Sequence, residues 1–431
     1  MEQFNSQSRR KFMQIVAGAS SLGLGIMNAD NDHNDNNNNE DPPRGLGKKI
    51  EHVVVLTMEN RSLDHFLGWM PNIDGKQAGL TYLDKSGAPH ATHPLAPDYQ
   101  GCGHPDPDHS YTGGRVEYDN GACDGWLRAG SNDDFSIGYY KQSDLPFLGQ
   151  AAPSWTTFSR YFAATMAETY PNRIYTHAAQ TDRDTNTTNI STLPTIWDRL
   201  LAANVPCRYY FSDVPFLALW GAKYLPISRP FPSFLADCAA GTLPAVSYVD
   251  PRFIDESSGT SGDDHPHADI RNGEAFMNLV YSAVTLSPNW SSTVFIITFD
   301  EWGGFFDHVP PQTAPDANPK FALRGFRVPC LLISPWTRRG FVSTDVFDHT
   351  SFLKMIEWRW NLQPLTVRDA SANNLANALN LHSSSNFAPI FAVPRGPFGG
   401  PCAAPGALAP RAPDTEWSPL LSLARSMGWP V

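Results

Sequence analysis

A largely β-branched, apolar run at residues 294–297 leads through Thr298 and Phe299 into two adjacent carboxylates, Asp300 and Glu301. The segment 298–311 reads T-F-D-E-W-G-G-F-F-D-H-V-P-P, so a Gly-Gly pair follows at once and Asp307, His308 and two prolines close it. A buried strand that ends in neighbouring carboxylates is the way α/β proteins present metal ligands at the carboxyl edge of a sheet. Two carboxylates that close repel each other unless a cation lies between them or one holds a proton. An acidic strand end that caps a helix or faces water is the structural alternative.

A second segment has the same construction. Residues 52–58 (H-V-V-V-L-T-M) form a short β-branched run and end in Glu59-Asn60, with R-S-L-D-H after them. Such a run reads as a buried parallel strand. Glu and Asn both offer hard oxygen donors. Parallel strands far apart in sequence bring their carboxyl ends to one sheet edge, so a divalent ion shared between Glu59, Asn60, Asp300 and Glu301 is the favoured reading over two unrelated turns.

Strands are expected at 52–58, 208–211, 245–249, 293–299 and 330–334. Helices are expected at 196–203, 274–285 and 351–360. In the 274–285 helix, Phe276, Leu279, Val280, Ala283 and Val284 share one face. Strand and helix in alternation imply an α/β fold with a mostly parallel central sheet and helices on both faces. Long Gly/Asp/Pro-rich stretches, 71–134 above all, are expected to be loops that build the site.

The ordered motifs resemble the phosphoesterase family that holds bacterial and plant non-specific phospholipases C and related acid phosphatases. E-N-R-S-L-D-H-F-L-G at 59–68 is similar to that family's E-N-R-S-F-D-H-Y-F-G. D-P-D-H (106–109), T-Y-P-N-R (169–173), D-D-H-P (263–266), D-E-W-G-G-F-F-D-H-V-P-P (300–311), R-V-P-C-L-L-I-S-P-W (327–336) and F-D-H-T-S-F-L (347–353) come after it in family order. The resemblance spans about residues 48–362 and implies an alkaline-phosphatase-like fold.

It also implies a division of labour. Thr169, two residues before P-N-R, is the nucleophile, its hydroxyl activated by a divalent ion. Thr165 is a rival whose spacing does not match. Glu59, Asn60, Asp300 and Glu301 are metal ligands, with Thr169 as a further one. The all-oxygen set points to Mg, Ca or Mn, with zinc left open. His109, His265 and His308 are candidates to bind phosphate or protonate the leaving oxygen; for His308, orienting Asp300 is the alternative. Arg173 is a candidate phosphate clamp, with Asn172 beside it. His349 is expected to cap the helix that follows it. His267 stands displaced from the second histidine of the plant pattern and takes no role.

The implied activity is that of a phospholipase C, releasing diacylglycerol and a phosphorylated headgroup through a phosphothreonine. An acid phosphatase using the same residues on phosphomonoesters is the second reading, and a degenerate metal- or lipid-binding protein the third. Phe66, Trp69, Tyr170, Trp302, Phe305 and Phe306 lie close to the motifs and are expected to form an apolar approach for lipid.

Composition bounds the partners. Thirty-two basic residues against 43 acidic give a net charge of −11, which argues against nucleic acid and against steady docking on an anionic membrane. No apolar run approaches the roughly 20 residues of a membrane span. S-R-R-K-F-M at 8–13, ahead of an apolar Gly/Ala/Ser-rich run, resembles a twin-arginine export signal (residues 1–29). The implied partner is the twin-arginine machinery and the implied location the periplasm or beyond. An Asn/Asp-rich linker (30–47), a catalytic domain (48–392) and a Pro/Ala-rich tail (393–431), either a strap or partly disordered, complete the division. Of six cysteines, Cys102 and Cys123 are the expected pair and Cys330 a buried free thiol.

Overall fold

The computed structural model describes residues 41–254, 256–402 and 416–431. The export signal and most of the Asn/Asp-rich linker lie outside the described residues. Its last part, Arg44–Gly47, is a helical turn whose Gly47 faces the Trp358 ring, and Pro42 accepts a hydrogen bond from that indole at 2.8 Å.

Eight strands form the central sheet: β1 (His52–Met58), β2 (Thr156–Phe158), β3 (Cys207–Phe211), β4 (Ser228–Pro230), β5 (Val246–Val249), β6 (Thr293–Phe299), β7 (Cys330–Ile333) and β8 (Phe341–Ser343). Their order across the sheet is β8-β2-β7-β6-β1-β5-β3-β4. Only β7 runs against the others, pairing antiparallel with both β6 and β2. The mostly parallel α/β sheet expected from the alternating pattern is the one observed. All seven residues of β6 are buried, and six of the seven in β1, which is why both read as continuous apolar runs and not as alternating ones.

The helices include α1 (Leu63–Leu67), α2 (Thr169–Ala178), α3 (Ile196–Ala202), α4 (Ile270–Thr285), α5 (His349–Trp360) and α6 (Trp417–Ser426). In α4 the sequence pattern holds only in part: Val280, Ala283 and Val284 are buried, whereas Leu279 is 37% exposed. Helix α6 lies in the segment read as a strap or tail, and its Trp417, Leu420 and Ala424 are buried.

The disulfide expectation is corrected. Cys102 is bonded to Cys402, closing a loop of sequence separation 300, and Cys123 is a buried free thiol. Proximity in sequence favoured the local pair, but Cys123 packs into an aromatic cluster with Trp126, Trp302 and Phe326. Cys330 is buried and free, as expected from its place in a core strand.

Candidate active site

Strands β1 and β6 are paired in parallel to their last residues, Met58 opposite Phe299. That register carries Glu59 and Asp300 past the sheet edge side by side. Asn60 has a left-handed backbone (φ 54°), a conformation that asparagine tolerates better than most residues. There its N–H donates to Asp300 Oδ1 at 3.2 Å, and Glu301 N–H donates to the same oxygen at 2.7 Å. The Gly-Gly pair has a steric cause. A Cβ on Gly303 would stand 2.2 Å from the Asn60 carbonyl oxygen, and one on Gly304 would stand 2.7 Å from Pro107. Both glycines also have positive φ. They let the 300–308 loop pack directly on the E-N-R segment and on the D-P-D-H loop. The D-D-H-P segment joins them, its Asp263 and Asp264 carbonyls accepting from Glu59 N–H (2.7 Å) and Arg61 Nε (2.7 Å).

Thr169 is the first residue of α2, after the extended Glu168. Arg173, four residues on, lies on the same helix face. Its Nε donates to Glu59 Oε1 (3.0 Å) and Asp300 Oδ2 (3.2 Å), its Nη1 to Asp250 (3.1 Å) and its Nη2 to the Thr57 and Met58 carbonyls. The arginine read as a phosphate clamp is therefore committed at every nitrogen, as the fixed countercharge of three buried carboxylates. Asn172 is likewise committed. Its Oδ1 accepts from Thr165 N–H (3.0 Å) and its Nδ2 donates to the Ala167 carbonyl (2.6 Å), so it braces the turn before Thr169.

The histidines separate. His109 and His265 come together, ring centroids 5.8 Å apart. His265 Nδ1 is 3.2 Å from Glu256, and its Nε2 lies 3.8 Å from Asp106 and 3.7 Å from Glu416. These carboxylates outweigh burial and hold the His265 imidazole well above its ordinary pKa. His109 shows two opposed tendencies. Burial lowers its pKa, but Glu301 and Asp106 carry it up to about 10. Nδ1 donates to the Pro107 carbonyl at 2.8 Å, and Nε2 lies 3.4 Å from Asn60 Nδ2.

His308 stands apart. It is bonded to Asp64 through both its N–H and its ring, and to Asp74 at 3.2 Å, within a network that includes Asp307 and Arg327. Neither Asp300 nor Thr169 is among these partners. The contact with Asp300 belongs to His349, whose Nε2 donates to the Asp300 carbonyl at 2.6 Å. The helix cap read onto His349 is supplied instead by Asp348, which accepts from Thr350 N–H.

Buried side-chain oxygens normally have a hydrogen-bond partner. Besides Thr165 Oγ1, Asp106 Oδ1, Asp263 Oδ2 and both Asp264 oxygens, four in this cluster have none among the described residues: Glu59 Oε2, Asn60 Oδ1, Thr169 Oγ1 and Glu301 Oε1. All four residues are fully buried. Burial pushes Glu59 well above the usual carboxylate range, and Glu301 up to about 8. Unpaired hard oxygens on carboxylates that resist ionisation fit a divalent cation. Glu59, Glu256 and His265 also bring one ligand atom each within 4.8 Å of one another, as do Asp106, His109 and His265, so nitrogen donors adjoin the oxygen set.

The sequence reading missed Asp250, Glu256 and Glu416. Asp250 carried a signal, since it follows β5 directly as Glu59 and Asp300 follow theirs. The aromatic approach is also corrected. Phe66, Tyr170, Trp302, Phe305 and Phe306 are fully buried and Trp69 is partly so; Phe305 stacks on His65 at 3.9 Å, and Trp302 donates to Glu117 at 2.7 Å. They are core, and the apolar path for lipid is not built from them.

A family model described as the Phosphoesterase family matches residues 50–363, and the chain belongs to that family. It is 28% identical over 461 residues to Phospholipase C A of Mycobacterium tuberculosis, covering 88% of this chain and 86% of the relative. It is 29% identical over 368 residues to Non-specific phospholipase C6 of Arabidopsis thaliana, covering 75% and 71%. Among solved structures, a phosphonate monoester hydrolase of Agrobacterium radiobacter gives a TM-score of 0.38 at 11% identity over 77% of both chains, too distant to carry an argument.

Proposed function

We propose that this member of the Phosphoesterase family is an exported, metal-dependent phospholipase C. The observation that carries the reading, with the motif spacing that favours Thr169 over the equally unpartnered Thr165, is the lack of partners among the described residues on four buried oxygens, those of Glu59, Asn60, Thr169 and Glu301. Three are metal-ligand types and the fourth is the hydroxyl that the family motif makes the nucleophile. The names of the relatives favour a phospholipid as substrate.

Glu59, Asn60, Thr169, Asp300 and Glu301 would hold the ion. When bound it would lower the pKa of the Thr169 hydroxyl and offset the charge on phosphate oxygens. Thr169 Oγ attacks phosphorus, the bond to the glycerol oxygen breaks, and that oxygen takes a proton and leaves as diacylglycerol. His265 is the proton donor in this scheme, because its Nε2 has no hydrogen-bond acceptor among the described residues while three carboxylates favour its charged form. Water then gives a proton to the now neutral His265 and attacks the phosphothreonine, the Oγ–P bond breaks, and the phosphorylated headgroup departs. Arg173 keeps the carboxylates from repelling one another; Asn172 holds the turn that aims Thr169.

The alternative, a phosphomonoesterase with the same residues, keeps its place because the buried aromatics no longer argue for lipid. No helix among the described residues is long and apolar enough to cross a membrane. Export by the twin-arginine route rests on S-R-R-K-F-M alone. The test is elemental analysis of the purified protein together with turnover of phosphatidylcholine, phosphatidylethanolamine and a simple phosphomonoester. Bound divalent metal and higher kcat/KM on a phospholipid are expected. A preference for the monoester selects the alternative, and full activity in metal-stripped protein overturns the mechanism.

A further inference from the structure

The C-terminal segment reaches the residues on either side of Thr169. Asn186, in a loop outside the family motifs, makes three hydrogen bonds there. Its N–H donates to Glu168 Oε2 at 2.6 Å, and its Oδ1 accepts from Tyr170 N–H at 2.7 Å. The residues before and after Thr169 are thus held by one side chain and its backbone. The third bond runs from Asn186 Nδ2 to Glu416 Oε1 at 2.7 Å. The ring closes where Tyr170 Oη donates to the Glu416 carbonyl at 2.8 Å.

An asparagine amide presents an acceptor on one side and a donor on the other, and a carboxylate only accepts. Glu416 therefore permits one orientation of Asn186, the orientation that puts Oδ1 on Tyr170 N–H. Its neighbour Trp417 anchors the segment. The indole stacks on Phe253 (3.9 Å, 11°), and the Arg173 guanidinium lies over both rings at 4.6 and 5.7 Å. Resting on the reading of Thr169 as nucleophile, we propose that Glu416 is a positioning residue: it sets the Asn186 amide, and through it the first turn of α2 and the aim of the Thr169 hydroxyl. The C-terminal segment is by this account part of the catalytic apparatus.

A nucleophile displaced by about 1 Å loses on the order of 10²-fold in rate without losing substrate affinity. The test is a donor–acceptor swap in the full-length protein, assayed on a chromogenic phosphodiester. N186D keeps the acceptor for Tyr170 but faces Glu416 with a second carboxylate. It is expected to lower kcat by roughly 30- to 100-fold with KM within about threefold. Adding E416Q restores a donor opposite the new acceptor, and N186D/E416Q is expected within about threefold of E416Q alone, which carries whatever is lost with the charge beside His265. No recovery in the double variant, or a change confined to KM, overturns the proposal. If N186D does not fold, E416A and E416Q decide: both lose the charge beside His265, so a kcat loss in E416A at least about tenfold larger than that in E416Q supports the clamp, and equal losses in both overturn it. Hydrogen exchange at the Tyr170 amide, faster in E416A and normal in E416Q, reads the clamp without any reaction. An inactive wild-type protein with that exchange pattern would remove the proposed reaction and leave the clamp standing.

Discussion

Replacing Arg173 by Met tests whether the chain carries its own substitute for part of a cation's charge. Arg173 is 2% exposed and pairs with Glu59 and Asp300, both fully buried, and with Asp250. Methionine fills much of the same volume and removes the charge. Breaking a buried ion pair from one side costs about 3–5 kcal/mol, because the partner charges stay buried and uncompensated. The entropy of unfolding grows with chain length, so each kcal/mol shifts the Tm of a chain this long by roughly 1–2 °C. In chelator, R173M should therefore melt roughly 3–10 °C below wild type. Divalent metal stabilises any protein that binds it only when folded, by about 2.7 kcal/mol at a hundred times Kd. The variant offers a more negative site, so its Tm should rise more on adding metal than the wild-type Tm does. Thermal melts of both proteins with EDTA and with excess Mg, Ca, Mn or Zn make the comparison. An unchanged Tm for R173M in EDTA, or a smaller metal-induced rise than in wild type, would refute the reasoning.

Thr169→Ala should abolish turnover at a stability cost below about 1 kcal/mol, since the hydroxyl has no hydrogen bond among the described residues to lose; rate assays and a melt check both halves. Cys402→Ser should cost about 2–4 kcal/mol by freeing a loop of separation 300, read as a fall in denaturant midpoint under oxidising conditions only. Asp348→Asn should be destabilising, because Arg324 and Arg368 hold that carboxyl far below its ordinary range and it caps α5, which carries His349. The depressed pKa means that its contribution is present above about pH 4, the unfolded value, and fades as pH falls further. The stability gap between wild type and D348N should close in acid, and a pH-independent gap would contradict this. Arg9→Lys with Arg10→Lys should keep the protein in the cytoplasm, since lysine lacks the guanidinium fork; fractionation reads the outcome.

The legible part of the fold is the part where local pattern and burial coincide. β1 and β6 were readable to the residue because both are buried on both faces, and the acids that end them marked the sheet edge. The starts of α4 and α5 were not readable. Asp269 and Asp348 cap these helices several residues before their apolar periodicity begins. Residue type located the acids, but partners decided their roles. Arg173 and Asn172 sit in a motif beside Thr169, and only the folded chain shows that their donors and acceptors are already taken. Asp307-His308 resembles a catalytic pair in sequence, yet Arg327 and Asp64 absorb it into a buried network. Glu416 lies 247 positions after Thr169 and belongs to no motif, so nothing local could bring it to Asn186. Cys402 was illegible as the partner of Cys102 for the same reason.

In the proposed mechanism Thr169 carries the phosphoryl group between two half-reactions. Wild-type enzyme turning over a phospholipid can be quenched in acid, digested and mapped by mass spectrometry, with T169A treated in parallel. Phosphate on the peptide containing residues 169–173, assigned to Thr169 and absent from an inactive T169A, is the predicted result. Phosphate on Thr165 or a histidine, or an active T169A, would contradict it.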